Sequence, residues 1–190
     1  MAKVAAVTGY KAHELGIFSD EHPGLPYIKK TLEKRIRSLA DEGLEWVIIT
    51  GQLGVELWAG ETVIGLKDEY PDLKLAFITP FLEQEEKWSE NNQEYYQLIQ
   101  SQADFTDSIT RRKYENPGQF QLKNDFLVHK CDMILVLYDE ERGGSPGYIV
   151  EAARKMREEK PGPELMFITP FDIDETIRDE QENNPDFWNG

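Results

Sequence analysis

Short apolar runs of strand length alternate along this chain with amphipathic stretches of helix length, and several of the runs end in glycine or proline. Lys3–Val7, Trp46–Thr50, Leu73–Thr79, Met133–Tyr138 and Leu165–Thr169 read as strands. Between them, Leu25–Asp41 carries Ile28, Leu32, Ile36 and Leu39 at intervals of three or four, one face of a helix closed by Glu42-Gly43. Gly54–Glu69, Gln84–Gln102, Gln119–Lys130, Ser145–Glu159 and Asp172–Arg178 read as further helices. The stretch Ala103–Gly118 has no clear period and is expected to hold a short strand and a loop. Strands alternating with helices imply right-handed crossovers and a mostly parallel sheet covered on both faces, an α/β fold. The most apolar run, Met133–Tyr138, belongs in the middle of such a sheet.

At 190 residues the chain suits one domain, expected over 1–179, with 180–190 a polar, acidic and loosely held end. Its formal charge of −15, from 36 acids against 21 bases, excludes a general polyanion binder, because nucleic-acid affinity rests on Lys and Arg neutralising phosphates. No apolar run approaches the roughly 18 to 20 residues that span a bilayer. The first residues lack the apolar core and cleavage site of a secretory signal, and Cys131 has no partner for a disulfide. A cytoplasmic protein is expected.

In an open parallel sheet, ligands sit outside the carboxyl ends of the strands, so chemistry is sought in the loops that follow them. After the first strand come Thr8, Gly9, Tyr10 and Lys11; after the second, Gly51, Gln52, Leu53, Gly54 and Glu56; after the central one, Asp139, Gly144, Ser145 and Pro146. Glycine lets backbone approach a ligand closely, and a helix N-terminus behind it offers free N–H groups and partial positive charge to a phosphate. Pro146 suits a first helical turn with Ser145 as its cap. A plain strand-to-helix turn would need the same glycines; three such loops on one sheet favour a ligand site. Glu56 and Glu151 are placed to accept ribose hydroxyls or to act in acid/base chemistry. Arg111 and Arg112 either clamp a phosphate or pair with surface carboxylates. No GxGxxG, P-loop or serine-elbow motif occurs, and three histidines without paired spacing beside one cysteine give no metal site.

The blocks Thr8–Lys11 with Glu14–Phe18, Gly51–Trp58, Ile78–Phe81, Leu137–Asp139 and Gly144–Pro146 resemble the YpsA family over nearly the whole chain. That family is placed in the SLOG superfamily with the cytokinin-activating LOG enzymes and the DNA-processing protein DprA. The resemblance implies a single Rossmann-like three-layer domain and a site for a nucleotide or derivative of the ADP-ribose or NAD type. It also implies a link to cell division in Gram-positive bacteria. Carried over, the matching site positions are Thr8, Gly9, Gly51, Gln52, Gly54, Glu56, Gly144 and Ser145. LOG phosphoribohydrolases carry PGGxGTxxE; here Gly143–Glu151 departs from that order, with Tyr148 near the expected small threonine.

Three functions follow as expectations. The first is binding or sensing of a small-molecule nucleotide, without nucleic acid or membrane. The second is an N-glycoside hydrolase acting on a nucleoside monophosphate through Glu56 or Glu151. The third is an interaction protein, a homo-oligomer or a partner of the division machinery, using exposed Trp88, Tyr95 and Tyr96.

Overall fold

The computed structural model describes residues 1–188; the last two positions of the acidic end lie outside the described residues. Six strands form one sheet: β1 Val4–Gly9, β2 Trp46–Ile49, β3 Lys74–Thr79, β4 Phe105–Ser108, β5 Met133–Leu137 and β6 Glu164–Ile168. Their spatial order is β4-β3-β2-β1-β5-β6, and every pairing is parallel. The chain steps outward from β1 to β4, then returns across β1 to β5 and β6. The sheet therefore has its switch point between β1 and β5, where neighbouring loops leave in opposite directions and open a crevice.

The helices are α1 Leu25–Asp41, α2 Val55–Leu66, α3 Glu90–Ser101, α4 Gly118–Lys130, α5 Gly147–Glu159, α6 Pro170–Glu182 and α7 Pro185–Trp188. Right-handed crossovers put α1 to α3 on one face and α4 with α5 on the other. The packing agrees, since α1 lies against α2 and α6, and α4 against α5. The Leu25, Ile28, Leu32, Ile36 and Leu39 face of α1 is buried, as its spacing requires. Central β5 is buried at every residue, Met133 to Leu137. The fold is thus a single Rossmann-like α/β domain of three layers.

Several boundaries move. β1 runs on to Gly9 because parallel pairing continues through Thr8↔Val136 and Gly9↔Leu137. The helix expected from Gln84 starts only at Glu90, where Ser89 accepts a hydrogen bond from the Asn92 amide. The last long helix, expected over Asp172–Arg178, runs from Pro170 to Glu182. Thr169 opens it, its amide and hydroxyl both donating to Asp172 Oδ2. Part of the expected loose end is therefore helical. Among the described residues no helix is long and apolar enough to cross a membrane.

Candidate functional site

The β1 and β5 loops meet across the switch point through two side chains. The Tyr10 hydroxyl donates to Gly143 O at 2.8 Å and accepts from the Asp139 amide at 3.1 Å. Burial raises the pKa of that hydroxyl, so it stays a neutral donor. Beside it, Glu14 Oε1 accepts from the Lys11 amide at 2.9 Å and the Ser145 hydroxyl at 2.6 Å, while Oε2 accepts from the Ser145 amide at 3.0 Å. Burial pushes the Glu14 carboxyl up, but the hydrogen bonds from Ser145 and Lys11 outweigh it and hold the pKa below its ordinary value. Ser145 is therefore not the cap of α5; its hydroxyl and amide serve Glu14, an internal anion in front of that helix. Gly144, at φ 129°, leaves the space: a Cβ there would lie 2.6 Å from the Tyr10 ring and 3.1 Å from Glu14 Oε2.

The loop after β2 is drawn against the loop after β1. Ala12 N donates to Leu53 O at 3.1 Å, and Val55 N, the first amide of α2, donates to Tyr10 O at 3.2 Å. The N-terminus of α2 is thus partly occupied by a protein carbonyl. Behind it, Glu56 is 2% exposed. Its Oε1 accepts from the Thr50 amide at 2.5 Å and the Thr50 hydroxyl at 2.7 Å, and Oε2 from the Thr8 hydroxyl at 3.0 Å. This carboxylate ties the ends of β1 and β2 to α2 and is buried behind the crevice lining.

Two cavities open at the strand ends. The first, about 760 Å³, lies at the switch point between α4 and α5 and gathers Thr8, Gly9, Lys11, Gln52, Ser145, Pro146 and Glu151. It also exposes residues that sequence reasoning missed, namely Lys123 and Asn124 on α4 and Lys155 on α5. Lys11, Lys123 and Lys155 face two carboxylates in its lining, Asp125 and Glu151. None of the three lysines lies within ion-pair distance of a carboxylate among the described residues, although Lys29, Lys67 and Lys113 elsewhere do. Burial lowers the pKa of Lys123, Lys11 pushes the same way, and the nearby Glu56 charge opposes both. Asn124 Oδ1 is buried with no hydrogen-bond partner among the described residues. An acceptor in that position calls for a donor from water or a ligand.

The second cavity, about 740 Å³, lies over the ends of β2 and β3 against α3, and shares Lys11, Gln52 and Phe120 with the first. The other predicted positions fall outside both linings. Tyr10, Gly51, Gly54, Glu56, Asp139 and Gly144 shape the loops from behind. Arg111 and Arg112 sit on the β4–α4 loop, where they pair with Asp107 at 3.5 Å and Glu115 at 3.2 Å. Arg111 lines a different, apolar hollow on the sheet face with Ile48, Ile78 and Phe105. The aromatic surface expected at Trp88, Tyr95 and Tyr96 is not exposed. Tyr96 is 2% exposed and packs edge-on to Phe77 and Trp88, while Tyr95 and Trp88 are half-buried. Lys123, Asn124 and Lys155 were hidden because their helices read as ordinary amphipathic cover. Their one sequence signal was a lysine on each of two helices flanking the expected central strand.

Among the described residues no group of three or more His, Cys, Asp or Glu could hold a metal ion. Comparison with known proteins matches the YpsA model, described as the YspA SLOG family, over residues 5–173. The chain is 58% identical over 182 residues to a UPF0398 protein of Bacillus thuringiensis (strain Al Hakam), covering 96% of this chain and 98% of that protein. UPF0398 proteins of Bacillus cereus strains AH187 and B4264 match with the same identity and the same coverage.

Proposed function

The chain belongs to the YspA SLOG family, and we propose on that premise that the switch-point cavity binds a nucleotide or nucleotide derivative of the ADP-ribose or NAD type. The observation that carries this reading is the convergence of Lys11, Lys123 and Lys155, free of ion pairs among the described residues, on a crevice that Asn124 also lines. Lysines left without an ion pair in a chain of charge −15 are suited to phosphate. The role is binding or sensing, because Glu56, the carboxylate that follows the glycine loop, has both oxygens committed to Thr50 and Thr8. Thermal unfolding with ADP-ribose, NAD and mononucleotides tests it. Stabilisation of the wild type that disappears in Lys123→Met is the expected result, and no stabilisation by any nucleotide overturns it.

One observation favours a second reading. Glu151 is exposed, lines the same cavity, and its side chain has no hydrogen bond or ion pair among the described residues, so its carboxylate is available to support an N-glycoside hydrolysis. Free base released from a nucleoside monophosphate, and lost in Glu151→Gln, would select this reading over simple binding. In either case the link to division in Gram-positive bacteria would follow from ligand occupancy. A folded Lys123→Met protein should then lose any division phenotype that the wild type confers.

A further inference from the structure

The two cavities at the strand ends are chemically unlike. The switch-point lobe holds Lys11, Lys123 and Lys155. The lobe over β2 and β3 is walled by the aromatic rings of Trp58, Phe81, Trp88 and Tyr95 and lined by the carboxamides of Gln84 and Asn92. Among the described residues its carboxylates are Asp20 and Glu21, and its one lysine is Lys11 at the shared mouth. A phosphate is repelled from the second lobe and attracted to the first. A flat heterocycle with amide-type edges has the opposite preference, since aromatic faces stack on it while carboxamides and carboxylates meet its N–H and ring-nitrogen edges.

The second lobe is also held in shape. Trp88 packs edge-on to Tyr96 at 5.3 Å and 89°, and the Tyr95 hydroxyl donates to Glu61 at 3.1 Å. Gln84 donates to Thr50 O at 2.9 Å, which fixes this wall to the end of β2. Phe120, 37% exposed and edge-on to Phe81 at 5.6 Å, stands in both linings and marks the passage between the lobes. Rings already immobilised lose little further entropy when a base stacks on them.

Resting on the nucleotide reading above, we propose that the ligand is two-ended: its diphosphate lies in the lysine lobe and its nucleoside in the aromatic lobe. Lys11 and Gln52 lie at the junction. The site is thus built for a nucleoside diphosphate or a larger molecule containing one, and a monophosphate fills only part of it.

Calorimetric titration of the full chain with inorganic pyrophosphate, adenosine, and each of ADP, GDP, UDP and CDP separates the two ends. The nucleoside diphosphate that fits should bind at least about tenfold more tightly than pyrophosphate and quench tryptophan fluorescence, whereas pyrophosphate should leave the fluorescence unchanged. Trp88→Leu and Asn92→Leu should each lower the affinity for that diphosphate about tenfold and leave pyrophosphate within twofold, while Lys123→Met weakens both. Asn92→Leu stands independently should Trp88→Leu fail to fold. Nucleoside diphosphates that bind no better than pyrophosphate, or that bind both aromatic-lobe variants as tightly as the wild type, would overturn the two-ended assignment and leave the phosphate site standing. Failure of pyrophosphate and of every diphosphate to bind would remove the phosphate site, and this inference with it.

Discussion

Lys123 shows how one residue joins stability to function. Its ammonium is desolvated on α4 without a carboxylate in ion-pair distance among the described residues, a cost that the more distant Glu56 charge offsets only in part. Replacing it by methionine should stabilise the ligand-free protein by about 1 kcal/mol while abolishing ligand stabilisation, as happens when a functional charge is removed. The pH dependence has a definite sign. The folded pKa lies below the ordinary 10.5, so between the two values the unfolded chain binds more protons and stability rises with pH. The advantage of Lys123→Met, followed by denaturant titration, should therefore be full below the folded pKa and shrink as pH rises through it. An advantage independent of pH would mean that the lysine is not desolvated. Glu14 gives a slope of the same sign in the acid range, where stability also rises with pH. Its depressed pKa contributes stability that is full above the unfolded value and is lost as pH falls through the folded one.

At the level of elements, two glycines near α2 separate backbone demand from helix propensity. Gly54 precedes the helix at φ 124°, and a Cβ there would lie 2.5 Å from Ala12 N and 2.6 Å from Tyr10 O, where the first two loops are zipped together. Gly54→Ala should cost about 3 kcal/mol, since the conformation and the contact both oppose it. Gly65, within that helix, has nothing among the described residues within 4 Å of an added Cβ. Gly65→Ala should be stabilising by up to about 1 kcal/mol. Equal effects in chemical denaturation would show that the glycine before α2 is an ordinary turn residue. The loop Thr50–Gly54 is thus a clasp between strand ends first, and only Gln52 and Leu53 of it reach the cavities.

At the scale of the molecule, the sole cysteine reports on how cooperatively the sheet holds. Cys131 is 7% exposed at the entry to central β5, and burial pushes its thiol up to about 12. It should resist iodoacetamide at neutral pH in the native protein and react with the midpoint of global unfolding. Rapid labelling without denaturant would show that the α4–β5 junction opens by itself. That junction matters because α4 supplies Lys123 and Asn124, so its rigidity decides whether the cavity is preformed.

Much of this architecture was legible in the residues alone. The apolar runs and the 3.6-residue face of α1 dictate strands and helices by local burial, and their alternation dictates parallel crossovers. The glycine loops point to the edge of the sheet where the two cavities open, since the rule about strand ends needs only the order of elements. What sequence could not decide is which side chains turn inward at that edge. Glu56 looked available because it opens a helix, yet buried Thr8 and Thr50, distant in sequence from each other, claim both its oxygens. Lys123 and Lys155 looked like solvated helix cover, and only the return of the chain across β1 brings α4 and α5 together over Lys11. Local pattern determines the elements because it acts within a few residues; the charge in the crevice depends on contacts more than 100 residues apart, which tertiary packing alone creates.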